Sequence, residues 1–275
     1  MHRTTMAHLS VKSLSLTAQV HLPALADGKA AALAWYRRTF GRPRCAGLRA
    51  LRHFDLSGVE EALDVGSANG ESAAALRTLA PQARLVAFEP NPFYLNRLRS
   101  RFRRDARVST QGCALSDRDG RLPLHVPAYN YTLFPELATL ERREAEGWLT
   151  SRILGYDPLR LSILEVPAQS RTLDGLGLNP SLLRIDGRCD TPAVIRGGAN
   201  TLALCRPIMS VESPLLDAEC ATRLQSWGYR AFRYEQDRLV RVAWPEPAHL
   251  LLRDAHLALW QGPAVADSAG LPPAG

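Results

Sequence analysis

Short apolar runs alternate with amphipathic stretches through the middle of the chain. From residue 61 the pattern predicts a strand at 61–66, a helix at 71–80, a strand at 84–89, a helix at 92–104 and a strand at 107–114. Strands and helices in this order are typical of right-handed βαβ units, which build a parallel sheet.

The alternation returns in the second half of the chain. It predicts strands at 181–186 and 207–213, helices around 191–204 and at 216–228, a terminal antiparallel hairpin of strands at 229–235 and 238–244, and a last strand or half-strand at 249–254. We therefore expect an α/β fold with a mostly parallel seven-stranded sheet that ends in the hairpin.

Three stretches fall outside this alternation. Residues 1–55 are expected to form an N-terminal extension with one helix, at 29–40, ahead of a main domain at 56–260. A polar, charge-rich insertion is expected near 128–162, where it would form a substrate wall or a simple surface elaboration. The tail, 261–275, consists largely of Gly, Pro, Ala and Ser, which predicts disorder.

Composition argues against a nucleic-acid partner, although the formal net charge is +7. Lys12 and Lys29 are the only lysines among the 34 basic residues, so the charge reflects a bias toward arginine. The arginines at 99–107 are expected to form the solvated face of a helix. Zinc-ligand spacing and the aromatic–glycine signature of RNA-binding modules are both missing.

The five cysteines are widely spaced, without a C-x-x-C pair or a nearby histidine cluster. This pattern favours free thiols in a reducing compartment and no metal site. No apolar run reaches the roughly 20 residues that a membrane-spanning helix needs. We therefore expect a cytoplasmic protein without a membrane span.

Acidic residues end two neighbouring predicted strands. Asp64 lies in EALDVGSANG at 61–70, and Glu89 ends the run RLVAFEP at 84–90. Gly66 and Gly70 would let a ligand touch backbone amides, and Glu89 would accept hydrogen bonds from a ribose diol. The alternative is an ordinary glycine turn between a strand and a helix.

The spacing D-x-G-x-x-x-G differs from the G-x-G-x-x-G of dinucleotide enzymes, in which a helix N-terminus binds pyrophosphate. An acidic loop suits a ligand that has no phosphate and carries a positive charge. S-adenosylmethionine, a sulfonium compound, fits that description.

Several short segments, in order and spacing, resemble one known family. They are ALDVGSANG at 62–70, LVAFEPNP at 85–92, CALSDRDGRLPLHVP at 113–127, TLDGL at 172–176, LRIDG at 183–187, VIRGGA at 194–199 and RPIMSVE at 206–212. From about residue 60 to about 245 the chain resembles the FkbM family of S-adenosylmethionine-dependent methyltransferases. The resemblance implies the class I methyltransferase (Rossmann-like) fold and O-methylation of a hydroxyl on a sugar, glycan or small metabolite.

The resemblance also implies a set of cofactor-binding residues. It puts the glycine loop beside the methionine part of the cofactor, Glu89 on the ribose hydroxyls and the end of the third strand beside the adenine. The full set is Asp64, Gly66, Ser67, Asn69, Gly70, Glu89, Pro90, Cys113, Ala114 and Ser116.

Three residues are candidates for catalysis. Asp186, in the segment where the family has lysine-isoleucine-aspartate, could orient the acceptor hydroxyl or take its proton, or could simply cap the following helix. Glu212, which closes the next strand, and His125, at the leading edge of the insertion, are further candidates. The scheme requires no metal.

The chain departs from the family pattern at two places. The loop asparagine is displaced by one position, which leaves Ala68 and Asn69, and the glutamates expected after Asp186 are replaced within 187–191. A cofactor-binding protein without turnover is therefore an alternative function. A nicotinamide-dependent dehydrogenase is a second alternative, which the glycine spacing and the terminal hairpin disfavour.

Overall fold

The computed structural model describes residues 45–150, 152–212, 216–244 and 246–268. The chain divides into two compact units. Among the described residues, Leu122–Pro167 form the smaller unit, and those within Arg42–Arg121 and Ala168–Gly275 form the larger one. The helix that the sequence predicts at 29–40 lies outside the described residues.

The strands of the described residues are β1 (Glu61–Val65), β2 (Arg84–Phe88), β3 (Val108–Gln111), β4 (Cys113–Leu115), β5 (Gly120–Tyr129), β6 (Thr132–Leu133), β7 (Leu161–Arg171), β8 (Leu182–Ile185), β9 (Ile208–Val211), β10 (Arg230–Glu235), β11 (Arg238–Val242), β12 (Leu250–Leu252) and β13 (Ala266–Asp267). The helices are α1 (Ala46–Leu51), α2 (Glu71–Leu79), α3 (Pro92–Phe102), α4 (Arg142–Gly147), α5 (Thr191–Gly197), α6 (Ala199–Cys205), α7 (Ala218–Ser226) and α8 (Asp254–Leu257).

The α/β fold is confirmed, but the sheet differs from the expected one. In the described part of the larger unit it has nine strands, in the order β13-β11-β10-β12-β9-β8-β1-β2-β3. The five strands from β9 to β3 are parallel, whereas β12 is antiparallel to both of its neighbours, β9 and β10. The sheet is therefore mixed, and the expected mostly parallel seven-stranded sheet is wrong in strand number and direction.

The terminal hairpin of β10 and β11 is present, and β12 lies beside it in the interior of the sheet. All three residues of β12 are leucines and all are buried. A run that is apolar on both faces is typical of a strand whose two faces are both covered. In the sheet, β12 separates β9 from the hairpin.

The predicted strand at 107–114 is two strands, β3 and β4, divided at Gly112. β4 leaves the nine-stranded sheet and pairs in parallel with β7, Cys113 opposite Gln169 and Leu115 opposite Arg171. A Cβ on Gly112 would lie 2.8 Å from the Leu95 side chain of α3, so the chain passes too close to that helix for a larger residue.

Two other predictions at this level need correction. The helix predicted around 191–204 is two helices, α5 and α6, with Gly198 between them. In the tail, for which we expected disorder from 261, Ala266–Asp267 forms β13 and pairs in parallel with β11. Residues 269–275 lie outside the described residues.

The smaller unit contains β6, α4 and most of β5. β5 and β6 form a hairpin whose two turn residues, Asn130 and Tyr131, both have positive φ. Tyr129 stacks on Tyr156 with ring centroids 5.4 Å apart, and Phe134 is buried in the same apolar cluster. Across the described parts of both units, no helix combines the length and hydropathy that a membrane crossing requires.

Alternating residues of the parallel strands serve the two faces of the large sheet. Ala62, Leu182 and Ile208 belong to a core cluster that includes residues of α1 and α2. Leu63 and Leu183 belong to a second cluster, on the opposite face, that includes residues of α5 and α7. Helices cover both faces, which explains why these strands read as almost continuous apolar runs.

Gly47 lets α1 lie directly on the sheet. A Cβ at this position would collide with the Ser210 hydroxyl on β9 and lie 2.8 Å from the His249 carbonyl oxygen. The Cys45 side chain caps the helix by accepting a hydrogen bond from the Leu48 N–H at 3.4 Å. The absence of a side chain at residue 47 therefore sets the distance between helix and sheet.

We expect Gly47→Ala to lower the free energy of unfolding by about 1–3 kcal/mol, because the added methyl group overpacks the contact with β9. Urea titration of both proteins measures the change. The matched control is Gly147→Ala at the end of α4, where a Cβ meets no atom within 4 Å. There the helical preference for alanine over glycine should leave the free energy of unfolding unchanged or raise it by up to about 1 kcal/mol. Equal gains at both positions would contradict close packing at Gly47.

Candidate active site

Polar side chains replace apolar ones at the carboxyl ends of the parallel strands, all on the face covered by α1. Asp64, Arg184 and Ser210 are register neighbours on β1, β8 and β9, so their side chains point to the same side of the sheet. Two positions further along, Asp186 and Glu212 follow the ends of β8 and β9 on that same side. The carboxyl edge of the sheet is therefore lined with charged groups.

Arg184 connects the acids at this edge. Its Nη1 donates to Asp64 Oδ1 at 3.1 Å, and its Nη2 donates to Asp186 Oδ2 at 2.8 Å and to Glu212 Oε1. Burial alone would lower the pKa of Arg184, but the three carboxylates outweigh it and raise the pKa well above its usual value. Arg184 is thus a permanent cation that joins the ends of three strands.

Asp64 is fully buried and both of its oxygens are engaged. Oδ1 accepts from Arg184, and Oδ2 accepts from the Ser72 hydroxyl of α2 at 2.7 Å. The Asp64 backbone carbonyl also accepts from the Ser67 hydroxyl at 2.9 Å. Asp64 therefore fixes the loop between β1 and α2 through its carboxylate and its backbone carbonyl.

The loop after β1 has the backbone geometry that its glycines predict. Gly66 and Gly70 have φ of 79° and 81°, in the left-handed region. A Cβ on Gly66 would also lie 2.8 Å from both the Asp186 Cβ and the Cys189 Sγ. Only glycine fits at residue 66 without moving β8 and the turn that follows it.

Glu89 closes the same loop from the adjacent strand. Its Oε2 accepts from the Ala68 N–H at 2.7 Å and its Oε1 from the Asn91 N–H at 2.8 Å. Burial raises the pKa of Glu89, although both amide donors and Arg188 oppose the rise. The ends of β1 and β2 therefore meet at one loop, and the carboxylate is held rigidly there while each oxygen retains a further lone pair for a ligand.

Asp186 accepts three hydrogen bonds. Besides Arg184, the backbone N–H and the Nε of Arg188 each donate to Oδ1 at 3.1 Å. Burial would raise the pKa of Asp186, but the two arginines and the amide overcome burial and hold the pKa below its usual value. A carboxylate with a lowered pKa is a weak proton acceptor. This geometry favours alignment of a bound group over proton transfer at Asp186.

Acid exceeds base at this edge. Asp64, Glu89, Asp186 and Glu212 supply four carboxylates against the guanidinium groups of Arg184 and Arg188. Four negative charges minus two positive charges leave two negative charges in excess among these six side chains. Such a surface favours a ligand with a positive charge.

The other predicted cofactor-binding residues lie around the same loop or on β4. Ser67 is buried, and Asn69 donates to Glu71 Oε1 at 3.4 Å; Pro90 follows Glu89 directly. Cys113 and Ala114 lie on β4, which pairs with β7, and the Ser116 N–H donates to the Arg171 carbonyl oxygen at 3.0 Å. Burial raises the pKa of the Cys113 thiol.

His125 lies in the smaller unit. Its backbone forms an isolated bridge with Thr139, and its Nδ1 is 4.0 Å from Glu165 Oε2. Both of these partners belong to the smaller unit as well. The arrangement around Arg184 is complete without it, so the geometry gives His125 no part in that cluster.

Sequence reasoning missed Arg184, Arg188 and Ser72 as members of the site. The signal for Arg184 was present, because an arginine inside the apolar segment LLRI of a buried strand must find counter-charges. No comparable signal identifies Ser72 or Arg188, whose roles depend on how the loops fold. Among the described residues, no group of three or more His, Cys, Asp or Glu side chains could hold a metal ion.

No protein-family model matches this chain, and no curated protein matches it either. Solved structures similar to it include a methyltransferase FkbM from Methylobacillus flagellatus, with 15% identity, 76% of this chain and 47% of that chain covered, and a TM-score of 0.45. The chain thus spans about half the length of that protein.

Two further similar structures are a precorrin-6y C5,15-methyltransferase from Geobacter metallireducens and an S-adenosylmethionine-dependent O-methyltransferase from Thermotoga maritima. The first shares 13% identity over 76% of this chain and 86% of its own, with a TM-score of 0.36. The second shares 11% identity over 78% of this chain and 68% of its own, with a TM-score of 0.35. Likeness at this level carries no argument about function, which rests on the site geometry.

Ala68 has φ of 46°, a left-handed conformation that costs a residue with a Cβ about 1–2 kcal/mol. We expect Ala68→Gly to raise the free energy of unfolding by about 1 kcal/mol, because glycine adopts this conformation without strain. The matched control is Ala74→Gly inside α2, which should lower it by about 0.5–1 kcal/mol. Chemical denaturation measures both changes, and a loss of stability in both variants would contradict strain at residue 68.

Proposed function

We propose that the protein binds S-adenosylmethionine at the carboxyl edge of its sheet and transfers the methyl group to a hydroxyl of a sugar, glycan or other small metabolite. The observation that carries the proposal is Glu89, whose two oxygens are fixed by the Ala68 and Asn91 amides beside the glycine loop. A carboxylate at the end of the second strand of such a sheet is suited to a ribose diol.

The residues present fit this cofactor better than a dinucleotide. The excess of two negative charges suits a sulfonium. The first turn of α2 carries Glu71, an acid at the helix end where a pyrophosphate would have to bind, and Gly70 supplies no side-chain cap. Glu89 alone does not discriminate, since the ribose of a nicotinamide cofactor would use it equally well.

In this proposal the parts of the loop have separate tasks. Glu89 binds the ribose hydroxyls. The backbone of Gly66 and Ser67, whose N–H groups both donate to the Phe88 carbonyl oxygen at 3.0 Å, lies beside the methionine part of the cofactor. Asp64 positions the loop through Arg184 and Ser72, since it is fully buried. Cys113, Ala114 and Ser116 would flank the adenine, with Asn69, Gly70 and Pro90 forming the rest of the wall.

The bound cofactor supplies an activated methyl group, so the protein's task is to align a hydroxyl oxygen with it and to remove a proton. Asp186 and Glu212 follow neighbouring strands and are the acids available for these two tasks. Good alignment of two bound reactants accounts for a large part of such a rate enhancement.

A cofactor-binding protein without turnover is the second candidate. It is favoured by Arg188, which lies in the segment that departs from the resembled family and donates twice to Asp186. Incubation with a cell extract and S-adenosylmethionine, followed by mass spectrometry for the gain of one methyl group, separates the two. Tight cofactor binding with no methylated product in any extract would favour the binding protein.

Ligand-induced stabilisation tests the choice of cofactor. We expect S-adenosylmethionine and its demethylated product to raise the melting temperature, because a ligand at 100 times its Kd raises the free energy of unfolding by about 2.7 kcal/mol. NAD at the same concentration should leave the melting temperature unchanged. Stabilisation by NAD alone would replace the proposal with a dehydrogenase.

Glu89→Gln should weaken cofactor binding about tenfold or more, because a charged acceptor becomes a neutral amide. In the wild-type protein the affinity should also fall as the pH is lowered toward the raised pKa of Glu89, since the protonated carboxyl loses an acceptor site. The variant should lack that pH dependence. Isothermal titration calorimetry measures both effects.

The control for this variant is Glu219→Gln on α7, an acid with 62% of its side chain exposed and paired with Arg223. It should bind the cofactor like the wild-type protein. Unchanged affinity in Glu89→Gln would remove residue 89 from the site.

A further inference from the structure

The two acids beside Arg184 are held differently. Asp186 accepts three hydrogen bonds and 15% of its side chain is exposed, whereas Glu212 is 31% exposed. Glu212 accepts a hydrogen bond from Arg184 through Oε1 and also makes one with the Cys45 thiol. Glu212 is therefore the more exposed and the less heavily bonded of the two acids.

The groups that face Glu212 come from three elements. Arg184 lies on β8, the Cys45 thiol lies at the N-terminal end of α1, and His249 precedes β12 and lies within electrostatic reach. Burial, helped by Glu212, raises the pKa of Cys45 to about 11, so this thiol stays protonated at neutral pH. Arg184 is the permanent cation among them.

We infer that Arg184 is a positioning residue that assigns different tasks to the two acids. Through Nη2 it holds Asp186, whose Oδ2 keeps a lone pair that aligns the acceptor, and it holds Glu212, the more exposed acid, which takes the acceptor's proton. This inference rests on the proposed methyl transfer.

The step balances without any further reactant. The hydroxyl oxygen of the acceptor forms a bond to the methyl carbon while the bond from that carbon to sulfur breaks, and the electron pair stays on sulfur. The hydroxyl proton moves to the Glu212 carboxylate. The products are a methyl ether, a neutral thioether and a protonated Glu212, which returns the proton to solvent.

The sequence around Asp186 is consistent with this division. Arg188, the second residue after Asp186, donates twice to Asp186 and makes that carboxylate a still weaker base. Glu212 is the acid at this edge that remains for proton transfer.

A double-mutant cycle tests the inference. Arg184→Lys keeps the charge but loses the planar fork that holds three carboxylates at once. With the acceptor that the extract assay identifies as substrate, we expect kcat to fall about tenfold or more in Arg184→Lys and about 100-fold in Glu212→Gln. The cofactor Kd should stay within about threefold of wild type in both. Because Arg184 acts through Glu212, the double variant should be no slower than Glu212→Gln alone.

The matched control is Arg230→Lys, which alters an arginine on β10 that pairs with Asp254 of α8 at 2.8 Å. It should leave kcat and Kd unchanged. Losses that multiply in the double variant, or a cofactor Kd that rises as much as kcat falls, would overturn the role of Arg184 alone. A wild-type protein that binds the cofactor and methylates no acceptor would overturn both this inference and the proposed transfer, leaving the cofactor site intact.

Discussion

A single buried cation fixes the carboxyl edge of the sheet. Arg184 is 4% exposed and binds carboxylates from β1, from the turn after β8 and from the end of β9. Removing such a cation would leave Asp64 as an uncompensated buried charge, which costs about 3–5 kcal/mol. The positions of Asp186 and Glu212 therefore depend on one guanidinium group, whereas Asp64 is also held by the Ser72 hydroxyl.

This network also limits what each acid can do. Asp64, which the sequence places beside a ligand, uses both oxygens within the protein and serves as a support. Glu89 is outside the Arg184 network and keeps its capacity to accept from a ligand. This division explains how a chain with abundant arginine can retain an acidic edge that suits a cation. Two of its arginines, Arg184 and Arg188, form ion pairs with the acids there.

Much of the fold could be predicted, because apolar runs and glycine turns report local structure directly. The central strands, α2, α3 and the terminal hairpin all follow from periodicity. Strand order does not, since the leucines of β12 indicate burial but not which neighbours the strand has. The division of the strand at Gly112 was missed for a similar reason, because it depends on the approach of α3. In the site, the sequence spacing predicted that Glu89 lies beside the glycine loop. The contacts of Arg184 could not be predicted in this way, because they depend on the register between three strands.

The place of β12 has a consequence for how the sheet is completed. The hairpin of β10 and β11 is synthesised before β12, yet it reaches β9 only through that later strand. Until residue 252 has emerged, β9 and β10 each present an unpaired backbone edge, and such edges can pair with other chains. The three leucines of β12 therefore complete the sheet. A chain that ended before them would leave the edges of β9 and β10 unpaired and prone to aggregation.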